Sequence, residues 1–236
     1  MDDVSQKQEN ILHKSVLKFQ EFAKNNYPDI TEDSDNGEWE IGIAEFDGMI
    51  DQILKTIQNV PYNDASDQML DDILYGIARD NECGMIIDYL EDFPEWYSVL
   101  CRKSLGTGYT NAKWQFAESL RNYKGHDGLQ DIIFQFLDTG DEYTERLALK
   151  TLADLFPERA EEFAIEFWNR EKFINHKGYE YQKIMALHVL FEIHSSKLNE
   201  YLELAEKSDF KWLRLNAGEI RQKEHDSRIK TKMSLT

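Results

Sequence analysis

DTGDEYTERLALKTLADLF, from Asp138 to Phe156, is the stretch that decides the fold. A short acidic turn, 138–142, opens a run in which Leu147, Ala148, Leu152, Leu155 and Phe156 recur at the spacing of one helical face. Arg146 follows Asp141 by five residues, and Pro157 opens the next helix, where its missing N–H is no loss. The same grammar returns in DFKWLRLNAGEI, Asp209 to Ile220, with Arg214 five residues after Asp209. Between the two, YQKIMALHVLF from Tyr181 sets Lys183 in the matching place, and upstream NAKWQFAESL from Asn111 sets Lys113 there. These four basic positions are separated by 33, 37 and 31 residues.

A period of this size, carried by helix pairs, predicts an all-α chain arranged as an α-solenoid of antiparallel helix pairs. The order of acidic turn, arginine, small residue and leucine resembles the HEAT-like helical repeats. It does so best in 138–156 and 209–220, within a span from Tyr109 to Gln222. The resemblance implies structural pairing of the turn acid with the helix base, Asp141 with Arg146 and Asp209 with Arg214. In the other two repeats Gly108 and Gly178 take the place of the acid. The expected organisation is an acidic helical N-terminal part at 1–108, the HEAT-like repeats at 109–222 and a flexible tail at 223–236.

Composition narrows the function classes. With 41% hydrophobic and 31% charged residues over 236 positions, the chain reads as an ordinary globular protein. Four prolines and few alternating β-branched runs leave little room for a sheet. No apolar run approaches the roughly 18 residues of a membrane span, and no leader-like pattern opens the sequence, so a cytoplasmic protein without membrane contact is expected. Cys83 and Cys101 lack ligand spacing, and His188 and His194, six apart, cannot share a helical face. No metal, cofactor or catalytic residue is therefore expected, and phosphate-cradling or nucleophile motifs are missing from the sequence.

Charge is the more informative property. Of a net −18, residues 1–100 hold 23 Asp and Glu against 6 Lys and Arg, a balance of −17. Residues 101–236 hold 22 against 21. Such a concentration repels nucleic acid and attracts cationic partners.

Helical periodicity in the first half predicts helices at 11–23, 43–58, 67–79, 82–92 and 94–105, with a long acidic loop at 25–38. Asp47 and Asp51 lie on the polar face of the second helix. Asp88, Glu91 and Asp92 line one exposed face of the fourth at offsets 0, 3 and 4, and Glu95 extends the series. Carboxylates near a helix C-terminus oppose its dipole at about 0.3–1 kcal/mol each, and a feature that costs local stability points to function. Trp39 stands between Glu38 and Glu40, and Trp96 follows Asp92 and Glu95. An aromatic ringed by acids suits an interface anchor, with charge steering and ring holding. The alternative for Trp39 is a place in the core beneath the second helix. Trp114, Trp168 and Trp212 are expected to pack within repeat helices.

These features predict a non-enzymatic protein-binding solenoid whose acidic N-terminal half takes a basic protein. Its charge layout and repeats resemble the immunity proteins of bacterial toxin competition, some of which cover the basic groove of a nuclease with carboxylates. The resemblance implies a toxin or nuclease as partner. The alternative is a general HEAT-like scaffold or assembly adaptor. A third class, the alkylpurine DNA glycosylases, shares a HEAT-like fold but binds DNA on a basic face, and this chain carries the opposite charge.

Overall fold

DQMLDDILYGIAR, residues 67–79, places apolar side chains on almost every side, and the helix it forms, α3 (Asp67–Arg79), is buried from Met69 to Arg79 except at Asp71. It is one element of a computed structural model that describes residues 3–27, 39, 41–126 and 128–234. Among the described residues the regular structure is entirely helical. The chain divides into two compact units, Met1–Phe136 and Leu137–Thr236.

In the first unit, α1 (Asp3–Asn26) packs on α2 (Ala44–Asn59) and on α3. The stripe Phe46, Met49, Ile50, Ile53 and Ile57 of α2 meets Leu12, Val16 and Phe19 of α1 in the core. Ser66 caps α3, accepting from Met69 N–H and donating to Glu9 Oε1 at 2.7 Å. Asp72, 4% exposed on α3, holds His13 Nδ1 at 3.0 Å and accepts from Gln68 Nε2 at 3.0 Å. Burial pushes its carboxyl up, while the bonds to Gln68 and His13 pull it back. Then follow α4 (Met85–Leu90), α5 (Pro94–Ser104) and α6 (Thr110–Ser119), which runs into a 3-10 turn at Leu120–Tyr123. A second 3-10 turn, Gln130–Ile132, leads into the short α7 (Ile133–Phe136).

The sequence reading placed the boundary between parts at 108/109, whereas the units divide at Phe136/Leu137. Packing of α6 on α3 explains the difference. Gln115 donates to Ile77 O at 2.7 Å, and Phe116 meets the Tyr97 ring edge-on at 5.2 Å, which ties α6 to the acidic helices. The first unit thus holds 26 acids against 11 bases, and the second 19 against 16. Among the helices predicted in the first half, α1 and α4 differ most in length from expectation. α1 begins at Asp3 rather than 11, because its polar first turns bond to other helices, Gln8 to Thr56 and Glu9 to Ser66. α4 spans only Met85–Leu90, because Gly84 in left-handed conformation (φ 65°) starts it late. The acidic loop expected at 25–38 lies outside the described residues beyond position 27.

In the second unit, α8 (Glu142–Leu155) and α9 (Pro157–Asn169) are joined through Phe156 alone. Both pack on α10 (Tyr179–Glu192), and α12 (Lys211–Ser234) packs on α10 and on α11 (Leu198–Glu206). α12 runs through the segment expected as a tail from 223 and ends at Ser234, since no Pro or Gly follows Gly218 to break it.

The expected Asp–Arg pairs take other partners. Asp141 is the N-cap of α8 and accepts from Thr144 N–H at 2.7 Å. Arg146 bonds instead to Glu142 Oε1 at 3.0 Å, one turn back on the same face. A cap carboxylate turned onto the helix N-terminus is not aligned with a base on the helix face. Arg214 does hold the turn before it, but through the Ser208 carbonyl at 2.6 Å, and Asp209 stays exposed. Lys183 likewise donates to a carbonyl, that of Trp168. Trp168 is buried as expected of a packing residue, Trp114 is half-buried, and Trp212 is 48% exposed.

The second unit is locked by an acid that the repeat pattern did not single out. Glu145 is fully buried; Oε1 accepts from Gly140 N–H at 2.7 Å and Lys172 Nζ at 2.8 Å. Its Oε2 faces Arg170 Nη2 at 2.9 Å, and the Arg170 guanidinium lies 3.3 Å from the centre of the Phe167 ring.

Candidate partner-binding groove

Between the turn 81–84 and α6 lies a groove of about 350 Å³ within the first unit. Next to one wall, outside the lining, stands Asp80, 1% exposed, whose Oδ2 accepts from Ile86 N–H at 2.7 Å and so fixes the start of α4. Burial, with the neighbouring Asp88 carboxylate adding to it, pushes the Asp80 carboxyl up to about 6 against the pull of that backbone bond. Asn81, Glu82, Cys83 and Asp88 line this side. The other wall carries Trp114, Gln115, Glu118 and Arg121.

That second wall is positioned from behind. Tyr97 O–H lies 2.8 Å from Ser119 Oγ, and the Tyr97 and Tyr123 rings, tilted by 31°, have their centres 4.1 Å apart. Tyr123 donates to Leu90 O at 3.3 Å, so the 3-10 turn is tied to the end of α4. Burial raises both phenol pKa values, which keeps these hydroxyls protonated as donors.

Gln115 is 4% exposed, and its Nε2 donates to Ile77 O at 2.7 Å and Asn111 O at 3.0 Å. Two carbonyls around one end fix that end as the amide nitrogen, which leaves Gln115 Oε1 buried without a hydrogen-bond partner. Asn81 Oδ1 on the facing wall is likewise buried without a partner. Donors on the lining are engaged: Arg121 with Glu118 at 3.2 Å, Asn122 with Glu91 at 2.6 Å, and Trp114 Nε1 with Asn111 Oδ1 at 3.0 Å.

Of the residues proposed from sequence, the structure brings Asp88 and Glu91 to this groove, Asp88 in its lining and Glu91 through Asn122. Asp92 and Glu95 are exposed on the segment that follows α4. Because α4 is short, Asp88 stands inside it and Glu95 falls in the first turn of α5, so only Glu91 and Asp92 follow a helix C-terminus. Asp51 is exposed on α2. Asp47 has a local task, accepting from Gly42 N–H at 3.1 Å. The two tryptophans are not surface anchors. Trp39 is 2% exposed, edge-on to Phe19 at 4.8 Å, and Trp96 is 3% exposed and donates to Val60 O at 3.1 Å. An indole large enough to anchor a partner serves equally to fill a core, and here the second use holds.

Comparison with protein-family models, with curated proteins and with solved structures returned no match. Sequence reasoning found Asp88 but missed Gln115, Asn81 and Asp80. Gln115 carried a signal, since it lies beside Phe116 on the side of α6 that also bears Ala112, where an uncharged polar residue must find partners. Among the described residues no group of three His, Cys, Asp or Glu side chains is placed to hold a metal ion, and no helix is long and apolar enough to cross a membrane.

Proposed function

We propose that the protein acts by binding a basic protein through the acidic surface of its first unit, with the groove beside Asp88 at the contact. The observation that carries this reading is the joining of charge and shape. A unit with 26 acids against 11 bases bears a groove whose lining includes Glu82, Asp88 and Glu118. Opposite charge speeds encounter, and the placing of carboxylates around a groove gives specificity for a basic surface of matching shape. A toxin or nuclease with a basic working surface is the specific partner this reading names, as the resemblance to immunity proteins implies. HEAT-like stacking of the helices as a solenoid belongs to the same proposal.

The test compares the tagged full chain with the variant Asp88→Asn, Glu91→Gln, Asp92→Asn as capture reagents in an extract of the cell that makes it. The expected outcome is a protein of net positive charge held by the unaltered chain, released by salt and lost by the variant. Equal yields of every basic protein on the two reagents would contradict the proposal.

A second reading draws on a specific feature of the second unit. Phe210, Trp212 and Leu215 are 39%, 48% and 48% exposed near the start of α12, a cluster that suits an adaptor holding a partner by apolar contact. In that case Trp212→Ala, and not the acidic variant, abolishes capture.

A further inference from the structure

We propose that the exposed face at the start of α12, around Trp212, Leu215 and Gly218, is where two copies of this chain meet, with their α12 helices antiparallel. The inference goes beyond the reading of the acidic unit and does not depend on it. It gives the apolar cluster of α12 a second copy as occupant, in place of an adaptor's partner.

Three observations converge on a second copy. The first is how α12 divides its faces. Leu213, Ala217 and Ile220, at offsets 0, 4 and 7, are buried and form the row that folding uses. Lys211, Leu215, Gly218, Gln222 and Asp226 recur at helical spacing on another side and are all exposed, with exposed Trp212 one turn before Leu215. The start of this row is held in place. Glu180 accepts from Trp212 N–H at 3.2 Å, and Phe210 lies edge-on to Tyr179 at 5.8 Å.

The second observation is Gly218. A glycine inside a helix costs stability relative to alanine and suits places where another backbone comes close. At Gly76 the close neighbour is inside the chain, the Ile53 side chain, whereas a Cβ built at Gly218 meets nothing within 4 Å. The room that Gly218 leaves is therefore open to a helix from outside. Gly48 on α2 is as open, but its neighbours one turn away are Ala44, Glu45, Asp51 and Gln52, without a large apolar side chain.

The third observation is charge. The first unit, with 26 acids against 11 bases, repels its own copy, while the second holds 19 against 16. A copy is therefore met most easily through the second unit. Along the exposed row Lys211 and Asp226 stand at opposite ends, with Gly218 half-way between. An antiparallel copy crossing at Gly218 sets each Lys211 opposite the other copy's Asp226, whereas a parallel copy sets like on like. From 211 to 226 the helix is about 24 Å long. A strip one helix wide over that length falls short of the roughly 1,200–2,000 Å² of a standard interface, so the dimer is reversible, with Kd on the order of 10 μM.

The experiment is sedimentation velocity of the full chain from about 1 to 200 μM, in salt from about 20 to 300 mM. The fraction at twice the monomer mass is expected to rise with concentration. It is also expected to rise with salt, which screens the net charge of each copy and leaves apolar contact intact. Trp212→Ala and Leu215→Ala are each expected to weaken the dimer by on the order of tenfold, while Leu17→Ala, an equally exposed leucine on α1, leaves it unchanged. Gly218→Gln separates fold from contact, since glutamine favours the helix but fills the crossing. It is expected to raise the melting temperature and weaken the dimer. Lys211→Asp is expected to weaken the dimer, and Asp226→Lys added to it to restore the association, because the charges at both ends are then exchanged. A chain that is monomeric throughout overturns the inference, and loss of a captured protein on Trp212→Ala then assigns the cluster to that partner. Association that weakens as salt is added also overturns it, by placing the contact on the acidic unit. Equal loss from Trp212→Ala and Leu17→Ala does so too.

Discussion

Asp80 shows how one buried carboxylate shapes the groove. Its side chain fixes the start of α4, yet burial and Asp88 lift its pKa from the ordinary 3.8 to about 6. The sign follows from linkage. The folded state holds the proton more tightly than the unfolded one, so the contribution is complete below about 3.8 and is lost as pH rises through about 6. The size is on the order of 3 kcal/mol. Asp80→Asn keeps an acceptor for Ile86 N–H and removes the charge. Denaturant melts from pH 4 to 7 are expected to show the unaltered chain losing stability relative to this variant, and a constant difference contradicts the assignment. Two more residues give direct checks. Cys83 is exposed and Cys101 buried, with its thiol pKa pushed far up by desolvation, so an alkylating reagent is expected to modify Cys83 alone in the native protein. Mass spectrometry of the alkylated chain reads this, and rapid double labelling contradicts it. Arg146 is expected to couple with Glu142 in a double-mutant cycle and to be additive with Asp141, the reverse of what the repeat pattern suggests.

At the scale of elements, the contact of α2 with α3 turns on Gly76. A Cβ built there would lie 2.1 Å from Ile53 Cδ1 and 3.4 Å from Ile86 Cδ1, both on fully buried side chains. Alanine in a helix interior ordinarily gains about 1 kcal/mol over glycine, but overpacking costs about 1–3 kcal/mol, so Gly76→Ala is expected to destabilise. Adding Ile53→Val removes the clashing methyl and should restore part of the loss in chemical denaturation. If the single variant is more stable than the parent, the close approach is not there. Much of this level was legible in the sequence. α3 was predicted at 67–79 and α2 to within one residue at each end, because an unbroken apolar period leaves a helix one way to lie. What could not be read was partner choice. Asp141 and Arg146 stand five apart in sequence, but whether an acid caps a helix or pairs along it depends on where the helix begins. Glu145 could have been found, since it shares the stripe of Leu149 and Leu152 at offsets 0, 4 and 7, where a charge must be paired.

For the whole molecule, the division of charge was readable and the division of structure was not. Counting acids placed the negative charge in the first hundred residues, and that charge lies within the first unit. The repeat period drew the boundary at 108/109, but the side chains of α6 that pack on α3 and α5 keep residues 110–123 with the acidic helices. That attachment supplies the wall of the groove facing Asp88, which no count along the chain could reveal. Trp39 and Trp96 were misread for a related reason, because acids in the neighbouring sequence do not decide whether an indole faces solvent. With both indoles in the core, the carboxylates and the groove remain as the features of the first unit that a partner can meet. Its most direct test is the rate of association with the captured basic protein, measured against salt for the unaltered chain and for the variant Asp88→Asn, Glu91→Gln, Asp92→Asn. Exposed charges act mainly on encounter, so the variant is expected to associate more slowly at low salt and to show a flatter salt dependence. An association rate at low salt that is the same for both proteins contradicts the account.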